Sequence, residues 1–139
     1  MILYFIYQVN LSTIDFLLKL GKNVWRKINA KGDVPSKGRY GHTACVYKGS
    51  IIFFGGEGSF RTELKYRECL SDVRIFTLET AEWKYFPCVG KSITARRNHT
   101  AAIYEQTMYV YGGINVEGNY LDEVWTLSLS IFSVNLVIE

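Results

Sequence analysis

A nine-residue segment of this 139-residue chain occurs twice at a fixed distance, and that repetition limits what the chain can become. Arg39-Tyr40-Gly41-His42-Thr43-Ala44-Cys45-Val46-Tyr47 returns as Arg96-Arg97-Asn98-His99-Thr100-Ala101-Ala102-Ile103-Tyr104, 57 positions later. The same offset lays Ile51-Ile52-Phe53-Phe54-Gly55-Gly56 on Met108-Tyr109-Val110-Tyr111-Gly112-Gly113, and Trp25 and Trp83 stand 58 apart. Beyond the double glycines the offset falls to 51, with Leu70-Ser71-Asp72-Val73 matching Leu121-Asp122-Glu123-Val124. The first copy therefore carries six additional residues between these blocks. Repeats of roughly 50 residues mark stacked units, none of which buries its apolar face alone.

Within a unit the pattern is that of strands. Thr43 to Tyr47 is short and rich in β-formers, and Lys48-Gly49-Ser50 forms a tight connection to the next strand. Ile51 to Phe54 is continuously apolar and stopped by two glycines, as in a strand covered on both faces. Val73 to Leu78 is a third strand, Glu79-Thr80-Ala81 a turn, and Glu82 to Phe86 a fourth strand led by Trp83. Four short antiparallel strands per repeat describe one blade of a β-propeller. Composition agrees, since 48% hydrophobic, 15% aromatic and 21% charged residues supply the apolar surface that disordered chains lack. Two prolines and 12 glycines exclude collagen-like and proline-rich classes.

The order Arg-x-x-His-Thr-Ala, an apolar strand ending Gly-Gly, a Leu/Asp/Val strand and a spaced Trp resembles the Kelch repeat, from about Trp25 to Leu129. The resemblance implies an all-β fold, an incomplete Kelch-type propeller with blades of four antiparallel strands, used as a protein-binding platform. Residues 1–29 are expected to form part of a preceding blade, 30–87 a complete blade, and 88–139 a second blade. In the preceding blade, Met1 to Val9 and Asp15 to Leu20 are its second and third strands. Gly21-Lys22-Asn23 is a turn, and Val24 to Asn29 the fourth strand. Val134 falls where a second Trp83 is expected, and Ser130 to Glu139 lacks a polar turn, so the last strand of the second blade is weakly specified. Propellers close with about four to eight blades, so roughly 200 residues is the floor at this period. The chain is thus expected to be part of a longer protein or to self-associate.

The repeating polar residues read as structural. His42 and His99 occupy one slot of successive repeats and are expected to make structural hydrogen bonds. Arg39 and Arg96 are expected to brace their blades, and Trp25 and Trp83 to wedge between blades. The double glycines match neither a nucleotide-binding nor a phosphate-loop spacing. Cys45, Cys69 and Cys88 form no CxxC pair, so neither a disulfide framework nor a zinc site is indicated, and reduced thiols in a cytoplasmic protein are expected. Met1 to Ile14 is uncharged but shorter than the ~18 apolar residues of a spanning helix, and a buried strand is expected there. Some Kelch-like propellers are copper-radical oxidases with Tyr, Cys and His ligands, but both histidines here sit in repeat slots. No cofactor and no catalytic constellation is expected.

Binding is read from the loops, which carry the variable chemistry of a repeat scaffold. The insertion Glu57 to Cys69, the lead-in Ala30 to Gly38 and the linker Val89 to Asn98 should emerge on one face. The expected contact residues are Phe60, Arg61, Lys65, Tyr66, Arg67, Lys91 and Arg97, with Lys31 and Lys37 nearby. They sit among Glu57, Glu63 and Glu68, and an acidic or mixed-charge protein segment is the expected partner. Net charge is only +3 and the basic residues are interleaved with glutamates, which argues against nucleic acid. The alternative is the propeller portion of a larger enzyme or ubiquitin-ligase adaptor.

Overall fold

The computed structural model describes residues 4–7, 16–19, 24–35, 38–63, 65–87, 89–130 and 133–138, and all regular structure in them is β. The strands are β1 (Tyr4–Tyr7), β2 (Phe16–Lys19), β3 (Val24–Lys27), β4 (Lys31–Gly32), β5 (Thr43–Tyr47), β6 (Ser50–Phe54), β7 (Glu57–Arg61) and β8 (Tyr66–Cys69). They continue as β9 (Val73–Thr77), β10 (Glu82–Phe86), β11 (Val89–Gly90), β12 (Thr100–Tyr104), β13 (Thr107–Tyr111), β14 (Val124–Ser128) and β15 (Ser133–Ile138). Three sheets follow one another along the chain, in the orders β1-β2-β3, β4-β10-β9-β6-β5 and β11-β15-β14-β13-β12, with β7-β8 as a separate ribbon. This is an all-β, incomplete propeller. Among the described residues, no helix is long and apolar enough to cross a membrane.

The second and third sheets are the two repeats, each a four-stranded antiparallel meander. Each also has a strand that the repeat pattern does not announce. β4 runs parallel to β10 at the outer edge of its sheet, and β11 parallel to β15, two residues each. Gly32 makes the first of these possible, because its φ is +79° and a Cβ there would lie 2.3 Å from the Trp83 carbonyl oxygen. Lys48 and Gly49 both take positive φ between the paired residues Tyr47 and Ser50, the geometry of a two-residue hairpin turn.

Alternation along β6 explains its unbroken apolar run. Ile52 and Phe54 face the third sheet, in a core shared with Val73, Ile75, Ile93, Met108, Val110, Trp125 and Leu127. Ile51 and Phe53 face the other way and pack with Phe76 and Trp83 under Ile28, Ala30 and Val34. Trp83 is therefore buried on the face opposite the third sheet, its ring 5.0 Å from Phe53 and 5.1 Å from Phe76. Trp25 lies in β3, and its packing falls outside the described side chains. The innermost strands β5 and β12 approach each other, with Cys45 Sγ 3.7 Å from the Ala101 carbonyl oxygen.

At the C-terminus, β15 pairs with β14 as the outer strand of the third sheet. The register shifts between Val124 and Trp125, so backbone pairing is kept through an irregularity although no tryptophan stands at position 134.

Candidate partner-binding face

The carbonyl end of β6, the start of β9 and the end of β10 lie together, because these strands are antiparallel neighbours. Two repeated arginines hold that end closed. Arg39 Nη1 donates to the Gly55 carbonyl at 3.0 Å, and its guanidinium forks onto Asp72 at 2.7 and 2.8 Å. Arg96 repeats the arrangement, donating to the Gly112 carbonyl at 2.8 Å and pairing with Glu123. The Arg96 side chain is 0% exposed, and a buried charge is tolerable only with such partners. Its main chain serves the neighbouring sheet, since Gly56 N–H donates to the Arg96 carbonyl and Arg96 N–H to the Leu70 carbonyl. One residue thereby clamps two sheets.

Burial alone would raise the Asp72 carboxyl, but hydrogen bonds and charge from Arg39 and Arg74 outweigh it and hold it below the usual range. His99 crosses between the same sheets, its Nε2 2.9 Å from Thr43 Oγ1 and its ring edge-on to Phe54 at 5.1 Å. Burial, then the charges of Arg96 and His42, push His99 down to about 4. The double glycines make room for these contacts. A Cβ on Gly56 would come within 2.8 Å of His42 Cβ, and one on Gly113 within 2.9 Å of His99 Cβ.

From this braced end rises the segment Glu57 to Cys69, which carries the six additional residues. It is an ordered ribbon, β7 and β8, where the sequence suggests an irregular loop. Its two arms set an aromatic opposite an arginine at each of two positions, Phe60 facing Arg67 and Arg61 facing Tyr66, so cross-strand pairs can form along it. Glu57, buried at its base, forms a bridge with Tyr40 through two backbone hydrogen bonds and lies 3.5 Å from Arg97. Hydrogen bonding to the Glu57 carboxylate raises the Tyr40 phenol. Arg61 binds Glu68 at 2.9 Å, and Arg67 stands over the Tyr40 ring at 5.6 Å while donating to the Gly58 carbonyl.

The structure thus gathers Phe60, Arg61, Lys65, Tyr66 and Arg67 on one ribbon and ties Arg97 to its base. Lys91 stands at the same end but off the ribbon, lining a cleft with Ser71, Asp72, Tyr85 and Ser92. Lys31 is paired with Glu82 at the opening end of β10, away from the ribbon, because β4 runs parallel to that strand. Lys37 and Cys88 fall outside the described residues. Of the ribbon's cations, Arg61 is held by Glu68 and Arg67 by the Tyr40 ring and the Gly58 carbonyl, so its outward chemistry is largely aromatic. Phe60 is 52% and Tyr66 44% exposed, and Tyr40, which the repeat pattern disguises as a motif residue, joins them at 43%.

Comparison with known proteins places these features. The KLHDC2/KLHL20/DRC7 Kelch-repeats domain matches residues 8–137. The chain is 29% identical over 111 residues to Tip elongation aberrant protein 1 of Schizosaccharomyces pombe, covering 79% of this chain and 9% of that protein. It is 31% identical over 110 residues to the Leucine-zipper-like transcriptional regulator 1 homolog of Drosophila melanogaster, covering 76% and 11%. The solved structure of YjhT superposes with a TM-score of 0.71 at 15% identity, over 90% of this chain and 45% of that one. The chain therefore spans about a tenth of these curated relatives and under half of YjhT.

Proposed function

The chain belongs to the Kelch-repeat family, and on that footing we propose that it is a non-enzymatic scaffold in which the β7-β8 ribbon docks a partner protein. Kelch-repeat domains often mediate protein interactions, and this chain adds a surface of its own to that background. The observation that carries the proposal is the pair Phe60 and Tyr66, held half-exposed on an ordered ribbon rather than buried. Aromatic residues presented on a rigid support lose little conformational entropy on binding and dominate interface energetics. With Arg61, Arg67 and Arg97 already engaged by Glu68, Tyr40 and Glu57, the contact is aromatic at its centre, with Lys65, which has no ion-pair partner among the described residues, as a cation at the rim. The proposed partner is a protein segment with apolar side chains flanked by acidic ones, met in the cytoplasm, with neither nucleic acid nor membrane involved. Blade limits of 1–29, 30–87 and 88–139 belong to the same proposal.

Exchange of Phe60 and Tyr66 for alanine tests it. Capture of partner proteins should fall at least tenfold while the melting temperature stays within about 4 °C of the parent, because both side chains are exposed. Undiminished capture by the double variant would refute the role of the ribbon.

A second reading rests on the small share of each relative that this chain represents, about a tenth. In that reading the propeller is the binding part of a larger enzyme or ubiquitin-ligase adaptor, and the ribbon selects what the rest acts on.

A further inference from the structure

A cleft of about 190 Å³ opens between the second and third sheets, at the end that carries the ribbon but off the ribbon itself. It is smaller than the ~300 Å³ at which pockets for whole drug-sized ligands begin, so it takes a single chemical group. Phe54, Val73 and Ile93, all buried, give it an apolar wall, and Ser71, Asp72, Lys91 and Ser92 give it polar ones. Asp72, the one acid among its described residues, is fully engaged. Arg39 bonds both carboxylate oxygens at 2.7 and 2.8 Å, and Arg74 adds a bond at 2.7 Å. Ser71, Lys91 and Ser92 differ, because their side chains make no hydrogen bond or ion pair among the described residues.

The repeat shows what sets Lys91 apart. It follows Gly90 as Asp33 follows Gly32, and both glycines take positive φ, 109° and 79°, in the short parallel edge strands. In the second sheet this slot is structural. The Asp33 carboxylate accepts the Tyr85 N–H at 3.1 Å, and the Asp33 carbonyl accepts from Arg74 at 3.2 Å. In the third sheet the charge is reversed and the side chain is left without an internal partner among the described residues.

We propose that the cleft is a binding site for a phosphate group, held by Lys91 and the hydroxyls of Ser71 and Ser92. Arg39, Arg74 and Lys91 set three cations around one carboxylate, so the cleft carries surplus positive charge. Beside an apolar wall that charge acts through a lower dielectric than on open surface. A phosphate presents three acceptor oxygens to the three donor groups, whereas a carboxylate presents two. The group arrives either as free phosphate or on a phosphorylated side chain of a protein, and both offer the same oxygens. This inference is independent of the ribbon and its partner.

Amide NMR of the 139-residue chain, titrated with inorganic phosphate and separately with N-acetyl-O-phosphoserine methylamide, tests it. Saturable shifts are expected at Ser71, Lys91 and Ser92. Tighter binding of the phosphoserine compound assigns the site to phosphorylated protein, and tighter binding of inorganic phosphate assigns it to the free ion. Lys91→Glu should weaken the better probe at least tenfold. Lys48→Glu makes the same charge change in the hairpin at the opposite end of β6 and should leave the affinity unchanged. Lys91 is exposed, so its exchange should leave the fold intact, and Lys91→Gln, with a smaller but measurable loss, replaces it should the glutamate disturb the spectrum. Shifts that do not saturate with either probe, saturable shifts confined to other residues, or an affinity indifferent to both Lys91 variants would each overturn the proposal. The Phe60 and Tyr66 variants should bind both probes like the parent, which separates failure of this inference from failure of the ribbon reading.

Discussion

Arg96 and Arg61 show how differently one side-chain chemistry acts at two depths. Both pair with a glutamate, but Arg96 is fully buried and also caps the Gly112 carbonyl, whereas Arg61 and Glu68 are each more than 40% exposed. Arg96→Ala leaves Glu123 without its cation and is expected to cost about 3–5 kcal/mol. Arg61→Ala should cost less than about 1 kcal/mol, as exposed pairs do. Urea unfolding of the two variants checks the contrast, and equal losses would deny the clamp. His99 adds a pH dependence. The unfolded imidazole takes up a proton as pH falls through about 6.5, while the folded one resists until about 4. Protonation therefore favours unfolding between these values, so stability is complete above the upper one and declines toward the lower one. Allowing for solvent screening, the loss is on the order of 2 kcal/mol. His42 is lowered too and acts in the same direction, whereas the depressed Asp72 contributes stability that disappears only at more acidic pH. A His99→Gln variant should show a flatter pH profile of unfolding free energy between pH 6.5 and 4 than the parent.

Among the elements, the β7-β8 ribbon stands apart because none of its described tip residues belongs to either of the two hydrophobic cores. Replacing residues 61–66 by Asn-Gly joins the paired positions Phe60 and Arg67 through a two-residue turn and keeps Glu57 and Gly58 at the base. The melting temperature should move by less than about 4 °C. A larger fall would mean that the ribbon supports the sheets and is not an appendage for contact. The strands themselves were largely legible. Glu82 to Phe86 and Thr43 to Tyr47 form strands with the bounds their sequence suggests, and Ile51 to Phe54 is covered on both sides as its unbroken apolar run requires. The edge strands β4 and β11 were not legible, because two residues joined to a distant strand leave no local periodicity. The ribbon was hidden for a related reason, since its pairing is cross-strand and its residues are too polar to announce a strand.

At the scale of the molecule, the second and third sheets share one core and are expected to act as a unit. Phe54, Trp125 and Leu127 meet in it, and the backbone of Arg96 is bonded to one sheet while its side chain is bonded to the other. The candidate partner-binding face is built at one end of the second sheet. Phe60, Arg61, Lys65, Tyr66 and Arg67 were found together because they are close in sequence, and Arg97 joined them through Glu57. Lys91 stands at the same end of the sheet, in the cleft beside Tyr85 and off the ribbon.

By itself the sequence determined the repeat, and with it the strand pairing inside each sheet, because local alternation and a fixed period of motif residues report only which positions are equivalent. Equivalence does not say what touches what. That Asp72 and Glu123 are the partners of Arg39 and Arg96, that His99 reaches Thr43, and that Arg61 of the ribbon is already paired with Glu68 were decided by the tertiary structure. Charge pairing and burial depend on distances between segments far apart in the chain, and those distances exist only once the sheets are stacked.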